Sequence, residues 1–288
     1  MVLTNRIAIQ VFHCLVCLKQ NDIIHCDIKP ENILLEHPFS SKIKVIDYGS
    51  GCLVDQKVYT YIQSRFYRSP EIIIGMDYTP SIDVWSTGCV LAELFTGTPL
   101  FPGENEQDQM ACIMEVLGYP SDDLIFKGSR SVVFFDSNGK QRNNKSSRGK
   151  VRLPGSKPLN QVIKGSDSAF LDFLTRCLTW EPDRRITPEE AFSHPFFTGE
   201  LHDMADSKTV ASNSTTNQTL HPGISKLPAF VNGSRNKEPV SLLPNTSSSS
   251  YRRQRNFSTG TYHFLSHKPA WLGSSTDKKK SSKNVTGS

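Results

Sequence analysis

The chain has 288 residues, 37% of them hydrophobic, and a formal net charge of +5, which bounds it at one or two globular domains. The charge is uneven: residues 199–288 hold 12 Lys or Arg against 5 Asp or Glu, while residues 1–198 are close to balance at −2. All seven Cys lie before residue 199 among apolar neighbours, an odd number that argues against a disulfide framework and for reduced thiols inside a cell. No run approaches the roughly 18 apolar residues of a membrane span, and the start Met1-Val2-Leu3-Thr4 lacks the basic flank of a secretory leader.

Residues 4–20 predict one amphipathic helix, because Ile7, Val11 and Leu15 recur every four positions and Phe12 and Leu18 widen that face. Cys14 and Cys17 match C-x-x-C, but inside a helix and without a partner pair they are not read as a zinc or redox site. A loop follows, His25-Cys26-Asp27-Ile28-Lys29-Pro30-Glu31-Asn32, and it ends in a short strand at 33–35. A second strand at 43–46 closes on Asp47-Tyr48-Gly49, so two carboxylates, Asp27 and Asp47, are expected to face one cavity.

That spacing suits metal-assisted phosphoryl transfer. An Asp beside a substrate hydroxyl can orient it and accept its proton, here Asp27. Asn32 and Asp47 can hold Mg²⁺, and Lys29 can neutralise charge on the moving phosphoryl group.

Beyond residue 70 the chain reads as mostly helical. Residues 83–95 predict a buried helix ending at Gly97, with Asp83 at its start to satisfy free N–H groups. Helices are also predicted at 108–117, before Gly118, at 169–179 and, briefly, at 188–194. Residues 128–168 are rich in Gly, Ser, Lys and Arg around one apolar patch, Val132-Val133-Phe134-Phe135. After Phe197 the composition turns to Ser, Thr, Asn, Lys and Gly, too polar to offset the entropy of ordering, so residues 199–288 are expected to be disordered. The clusters Arg252-Arg253-Gln254-Arg255 and Lys278-Lys279-Lys280 are read as a solvated tail, with no nucleic-acid-reading motif beside them.

The loop motif, Asp47-Tyr48-Gly49 and the segment from Tyr59 to Glu71 together resemble the protein kinases. The resemblance runs from about residue 4 to 197. It is nearer to the dual-specificity tyrosine-phosphorylation-regulated kinases of the CMGC group, which carry a Cys at the position of Cys26 where most kinases have Arg. Residues 111–118 and 170–174 look like that family's second class. The resemblance implies a mainly α fold, the C-terminal lobe of the α+β kinase fold, with a few short strands around the catalytic loop and a group-specific insert near 128–168. It implies ATP and Mg²⁺ as cofactors and protein Ser or Thr as acceptors. Self-phosphorylation of Tyr61, read by Arg65 and Arg68, is implied too. Glu31 and Glu93 match an acidic pocket for an Arg upstream of the target, and Arg68 borders a loop that favours Pro after it. Asp83 matches the buttress of the catalytic loop, and Glu71 and Arg185 match a buried ion pair under the substrate-binding segment.

The sequence holds no G-x-G-x-x-G and no V-A-I-K equivalent. The chain is therefore expected to be a C-lobe (1–198) plus tail without an N-lobe, inactive alone, and located in the cytoplasm, the nucleus or both. Protein substrates, and regulators or scaffolds on the lobe surface, are the expected partners, with no specific nucleic acid and no membrane. A non-catalytic docking module or a regulatory short isoform is the alternative.

Overall fold

The computed structural model describes residues 1–38 and 40–199, together with the backbone of a short strand at His263–Phe264. The first helix, α1 (Val2–Gln20), buries Ile7, Ala8, Val11, Phe12, Leu15 and Leu18 along one face. By length and composition α1 would also qualify as a membrane span, which the reading of apolar runs did not foresee. Its packing against the central helix accounts for that apolarity, since a core helix and a span share it.

The chain then passes through β1 (Ile23–Ile24), a 3-10 turn at Pro30–Asn32 and β2 (Ile33–Leu35). It returns along β3 (Ile43–Val45) and β4 (Cys52–Leu53). β2 pairs antiparallel with β3, Ile33 opposite Val45, and β1 with β4, Ile24 opposite Cys52. These two ribbons fix both ends of the loop at 25–32, which is why a loop of this length holds one shape.

Helix dominates from there. α2 (Pro70–Ile74) and α3 (Ser81–Thr96) are followed by α4 (Glu106–Leu117), α5 (Asp122–Lys127) and the one-turn α6 (Ser131–Phe134). Then come α7 (Leu159–Val162), α8 (Ser168–Cys177) and α9 (Pro195–Thr198). α3 is buried from Ile82 to Ala92 and packs against both α1 and α8. Gly88 makes the second contact possible: a Cβ there would stand 2.9 Å from that of Cys177. Phe12, Phe173 and Phe197 interlock edge to face and tilted at centroid distances of 4.9–5.5 Å, joining α1, α8 and α9 in one core.

The predicted helices stand within a few residues of their expected bounds, and the caps explain the shifts. Asn105 accepts the Asp108 N–H at 2.9 Å and starts α4 two residues before the expected position. Asp167 caps α8 through the Phe170 N–H at 2.7 Å and starts it one residue before the expected position. The short helix expected at 188–194 is a 3-10 turn at Glu190–Ser193. α3 opens at Ser81, so Asp83 lies inside the helix and its carboxylate is not a cap; it goes elsewhere, as described below. In the insert, Phe134 and Phe135 are buried while Val132 and Val133 are exposed.

The tail expectation lies outside the described residues except at β5 (His263–Phe264), which pairs antiparallel with β2, Leu34 opposite Phe264. That pairing departs from the expectation of an unstructured tail. His263 and Phe264 stand in Thr261-Tyr262-His263-Phe264-Leu265, a β-favouring run, and the edge of β2 away from β3 offers it unpaired backbone groups.

Candidate active site

The loop is held from beneath by α3. Asp83 is fully buried and accepts the backbone N–H of His25 at 2.7 Å and of Cys26 at 3.0 Å, one on each carboxylate oxygen. Those two bonds hold Cys26 in a left-handed conformation, φ 65°, which a β-bonded side chain disfavours. Burial pushes the Asp83 carboxyl up to about 7, against the two amide donors that favour its charged form. His25 accepts the Asp27 N–H at Nδ1, 3.2 Å, so its other nitrogen donates to the Ile46 carbonyl at 3.1 Å. Burial also lowers the His25 pKa, in keeping with a neutral ring.

On this frame the side chain of Asp27 is fixed at both oxygens. Oδ1 accepts the Ser64 hydroxyl at 2.7 Å and the Ser64 N–H at 3.2 Å. Oδ2 accepts the Lys29 ammonium at 2.6 Å and the Asn32 amide at 3.3 Å, and Lys29 also donates to the Ser64 hydroxyl at 3.2 Å. A second Asn32 N–H bond goes to the Asp27 carbonyl at 2.8 Å, which leaves the amide oxygen of Asn32 as its acceptor for a cation. Asp47 sits in the left-handed region, φ 66°, where its own side chain accepts the Gly49 N–H at 3.4 Å.

Lys29, Asn32, Asp47 and Ser64 line one cavity of about 530 Å³ together with Glu31, Arg65 and Tyr67, whereas Asp27, expected to share it with Asp47, lines a second hollow that has Ser64 in common with the first. Among the described residues no three His, Cys, Asp or Glu cluster as a closed metal cage. The pair Asn32 and Asp47 supplies hard oxygen donors, and a Mg²⁺-type ion keeps most of its sites for water and substrate phosphate, so the donor set fits such an ion.

The acidic pair is brought together as well. Glu93 on α3 accepts the Tyr67 hydroxyl at 2.7 Å, and burial, with Glu31 among the nearby charges, raises its pKa. Glu71 and Arg185 meet in a forked pair at 2.5 and 2.7 Å with both side chains wholly buried. Tyr61 is 64% exposed, and its ring lies 4.2 Å from the Arg68 guanidinium. Arg65 does not join them in this structure: its Nη1 donates to the Glu104 carbonyl at 2.6 Å. Cys26 is buried and its sulfur lies 3.8 Å from that of Cys52, far from these arginines in chemistry and unable to stand in for a phosphate-gripping Arg.

Sequence reading missed Ser64, Gln63 and Tyr67. Gln63 holds the segment to α3, donating to the Ile82 carbonyl at 3.0 Å and the Ser86 hydroxyl at 2.9 Å while accepting from Ser69. A signal existed in the Gln63-Ser64 pair, both hydrogen-bonding residues next to the Arg65–Arg68 run, but nothing local says which loop they face.

The sequence model of the protein kinase domain matches residues 3–197. A DYRK-family kinase of Schizosaccharomyces pombe, pom1, is 57% identical over 199 residues, 69% of this chain and 18% of that protein. Human dual specificity tyrosine-phosphorylation-regulated kinase 4 is 56% identical over 192 residues, 67% of this chain and 37% of that protein. Human dual specificity tyrosine-phosphorylation-regulated kinase 3 is 44% identical over 270 residues, 86% of this chain and 45% of that protein. The chain thus spans less than half the length of each of these relatives.

Proposed function

This chain belongs to the protein kinase family, in its dual-specificity tyrosine-phosphorylation-regulated branch, and from that premise we propose that its cavity serves transfer of the ATP γ-phosphoryl group to a Ser or Thr hydroxyl of a protein. The observation that carries the reading is the Asp27 carboxylate, locked by Lys29, Ser64 and Asn32, three residues that also line the cavity holding Asp47. The acceptor oxygen attacks the γ-phosphorus, the bond to the β,γ-bridging oxygen breaks, ADP leaves, and Asp27 takes the hydroxyl proton. Lys29 balances charge on the transferred group. Bound at Asn32 and Asp47, Mg²⁺ would supply further charge neutralisation at the phosphates.

Residues 1–198 are read as the C-lobe and 199–288 as a tail that meets it at β5. Glu31 and Glu93 are read as the subsite for an upstream Arg, and Tyr67 as the residue that aims Glu93. ATP also needs a glycine-rich loop and a strand Lys, which these 288 residues do not contain. Taken alone they hold neither adenine nor triphosphate in a sheltered site. Calorimetry on the 288-residue chain is expected to give Mg·ATP affinity of about 1 mM, a binding free energy near −4 kcal/mol, with no phosphoryl transfer. Micromolar affinity, or a turnover that disappears in Asp27→Ala, would overturn this.

Tyr61 is proposed as a self-phosphorylated residue. In a longer form carrying the glycine-rich loop and made in bacteria, mass spectrometry should find phosphotyrosine at Tyr61 without an added kinase. An active preparation with unmodified Tyr61 would refute self-modification.

A further inference from the structure

A phosphate on Tyr61 would bring about −1.5 to −2 charges to the face of Arg68. Arg68 has little to give it. Its Nε donates to the Ile62 carbonyl at 2.9 Å and its Nη2 to the Gln63 carbonyl at 2.8 Å. Only Nη1 meets a charged group, Glu106, at 3.5 Å. Glu106 is itself an obstacle, because cations around it, Arg130 foremost, hold its carboxyl below the usual range and keep it ionised beside the incoming phosphate.

The insert answers that problem. Arg130 forks onto Glu106, Nη1 to Oε1 at 3.1 Å and Nη2 to Oε2 at 2.6 Å, while Nη1 also donates to the Ile73 carbonyl at 3.2 Å. Its backbone is pinned to the end of α2, the Arg130 N–H donating to the Ile74 carbonyl at 2.8 Å and the neighbouring Ser129 N–H to the Gly75 carbonyl at 3.2 Å. The Arg130 side chain is 36% exposed. It shares Glu106 with Arg68, whose guanidinium lies over the Tyr61 ring, so one carboxylate links the insert to the Tyr61 face. Two guanidiniums, Arg68 and Arg130, against the one Glu106 leave one net positive charge for the phosphate, while Arg65 stays on the Glu104 carbonyl.

We propose that Arg130, from the insert, is a positioning residue of the phosphotyrosine reader at Tyr61: it neutralises Glu106, frees Arg68 for the phosphate and couples the insert to the phosphorylated loop. This rests on the reading of Tyr61 as the phosphosite. Without Arg130, Arg68 and Glu106 would cancel, and Glu106 would draw on the guanidinium that the phosphate needs.

The test uses the full 288-residue chain with phosphotyrosine installed at position 61 during translation, so that no kinase activity is needed. Two quantities are read: the rate of dephosphorylation by a tyrosine phosphatase, and Tm with and without the phosphate. The wild-type chain should lose its phosphate about tenfold more slowly than a free peptide of residues 55–70, and Arg130→Gln should forfeit most of that protection. Arg130→Lys, which keeps charge but not the fork, should fall between them. The Tm of unphosphorylated Arg130→Gln should stay near wild type, whereas the rise in Tm on phosphorylation should shrink.

The double variant Glu106→Gln/Arg130→Gln separates this role from a merely structural one. It should recover protection, because the carboxylate that needed neutralising is gone. If Arg130→Gln fails to fold, that double variant decides the matter alone: protection near wild type supports the proposal, and its loss overturns it. Arg130→Gln as protected as wild type, with Arg68→Gln unprotected, would overturn the role of Arg130 and leave Tyr61 as the phosphosite. A wild-type chain dephosphorylated as fast as the peptide would instead remove the reading of Tyr61 itself.

Discussion

Asp27→Asn is expected to lower turnover by about three orders of magnitude in a longer, active form of the protein, with little change in peptide KM. The size follows from what the carboxylate touches. Lys29 and both donors of Ser64 point at its two oxygens, at 2.6–3.2 Å. An amide in that place removes the proton acceptor and sets an NH₂ group against an ammonium or an N–H, so orientation is lost along with basicity. The fold should survive, because Asp27 is partly exposed and its backbone is held through Asp83 and His25 rather than through its own side chain. Peptide phosphorylation with Tm as a control checks this, and turnover within threefold of wild type would remove Asp27 from the reaction. The same assay reports on the acidic subsite. A peptide whose upstream Arg is changed to Ala should show a higher KM on the wild type, and Glu93→Gln should shrink that difference without a matching loss in kcat.

The parts of this site that were legible in the sequence are those whose partners are near neighbours in the chain. Asp27, Lys29 and Asn32 fall within six residues of one another, and their spacing alone brings them to one carboxylate. α3 was legible for a similar reason, since the apolar run Cys89-Val90-Leu91-Ala92 with Val84, Trp85, Leu94 and Phe95 around it, before Gly97 at φ 77°, defines a buried helix and its stop. Ser64 was not, because its bond to Asp27 spans 37 positions and depends on Gln63 adopting φ 66°, a turn that no glycine marks. Tyr67 reads locally as an ordinary loop aromatic, and only the fold delivers it to Glu93.

The insert is the clearest case of composition misleading by omission. Its Gly, Ser, Lys and Arg suggest a loose surface loop. Yet Arg152 is buried between Asp108 and Glu115 at 2.8 Å from each, and short bridges join Phe135 to Gln141 and Lys145 to Val151. Its order comes from ion pairs with α4, whose acidic partners lie 37 and 44 residues away in sequence, so no window along the insert contains the reason for its shape. The same separation hides the reach of Arg130 to Glu106, 24 residues earlier.

Glu71→Ala should destabilise the 288-residue chain by about 3–5 kcal/mol in urea unfolding, since it leaves the Arg185 guanidinium buried without its counter-charge. Both side chains have no exposure, and no water can take the place of the missing carboxylate without opening the core. Arg185 has other bonds, to the carbonyls of Thr179, Trp180 and Ser81 at 2.9–3.2 Å, and stacks 5.0 Å from Trp85. Those contacts satisfy N–H groups but do not neutralise the charge, so they will not rescue the variant. Arg185→Lys should fail as well, because an ammonium cannot reproduce the fork or the stack. Replacing both residues by apolar side chains of similar volume should recover much of the loss, as desolvation of two ions is then no longer required. That contrast identifies the effect as an orphaned charge rather than a cavity, for a cavity would persist in the double variant only to the extent that its volume is unfilled. The pair joins α2 to the turn after α8 across 114 residues of sequence, and α2 follows directly on Ser64, Tyr67 and Arg68. Loosening it should therefore disturb the wall of the cavity before the core as a whole unfolds. A loss below 1 kcal/mol in Glu71→Ala would show that water or a shifted side chain reaches Arg185, and that the substrate-binding segment is anchored elsewhere.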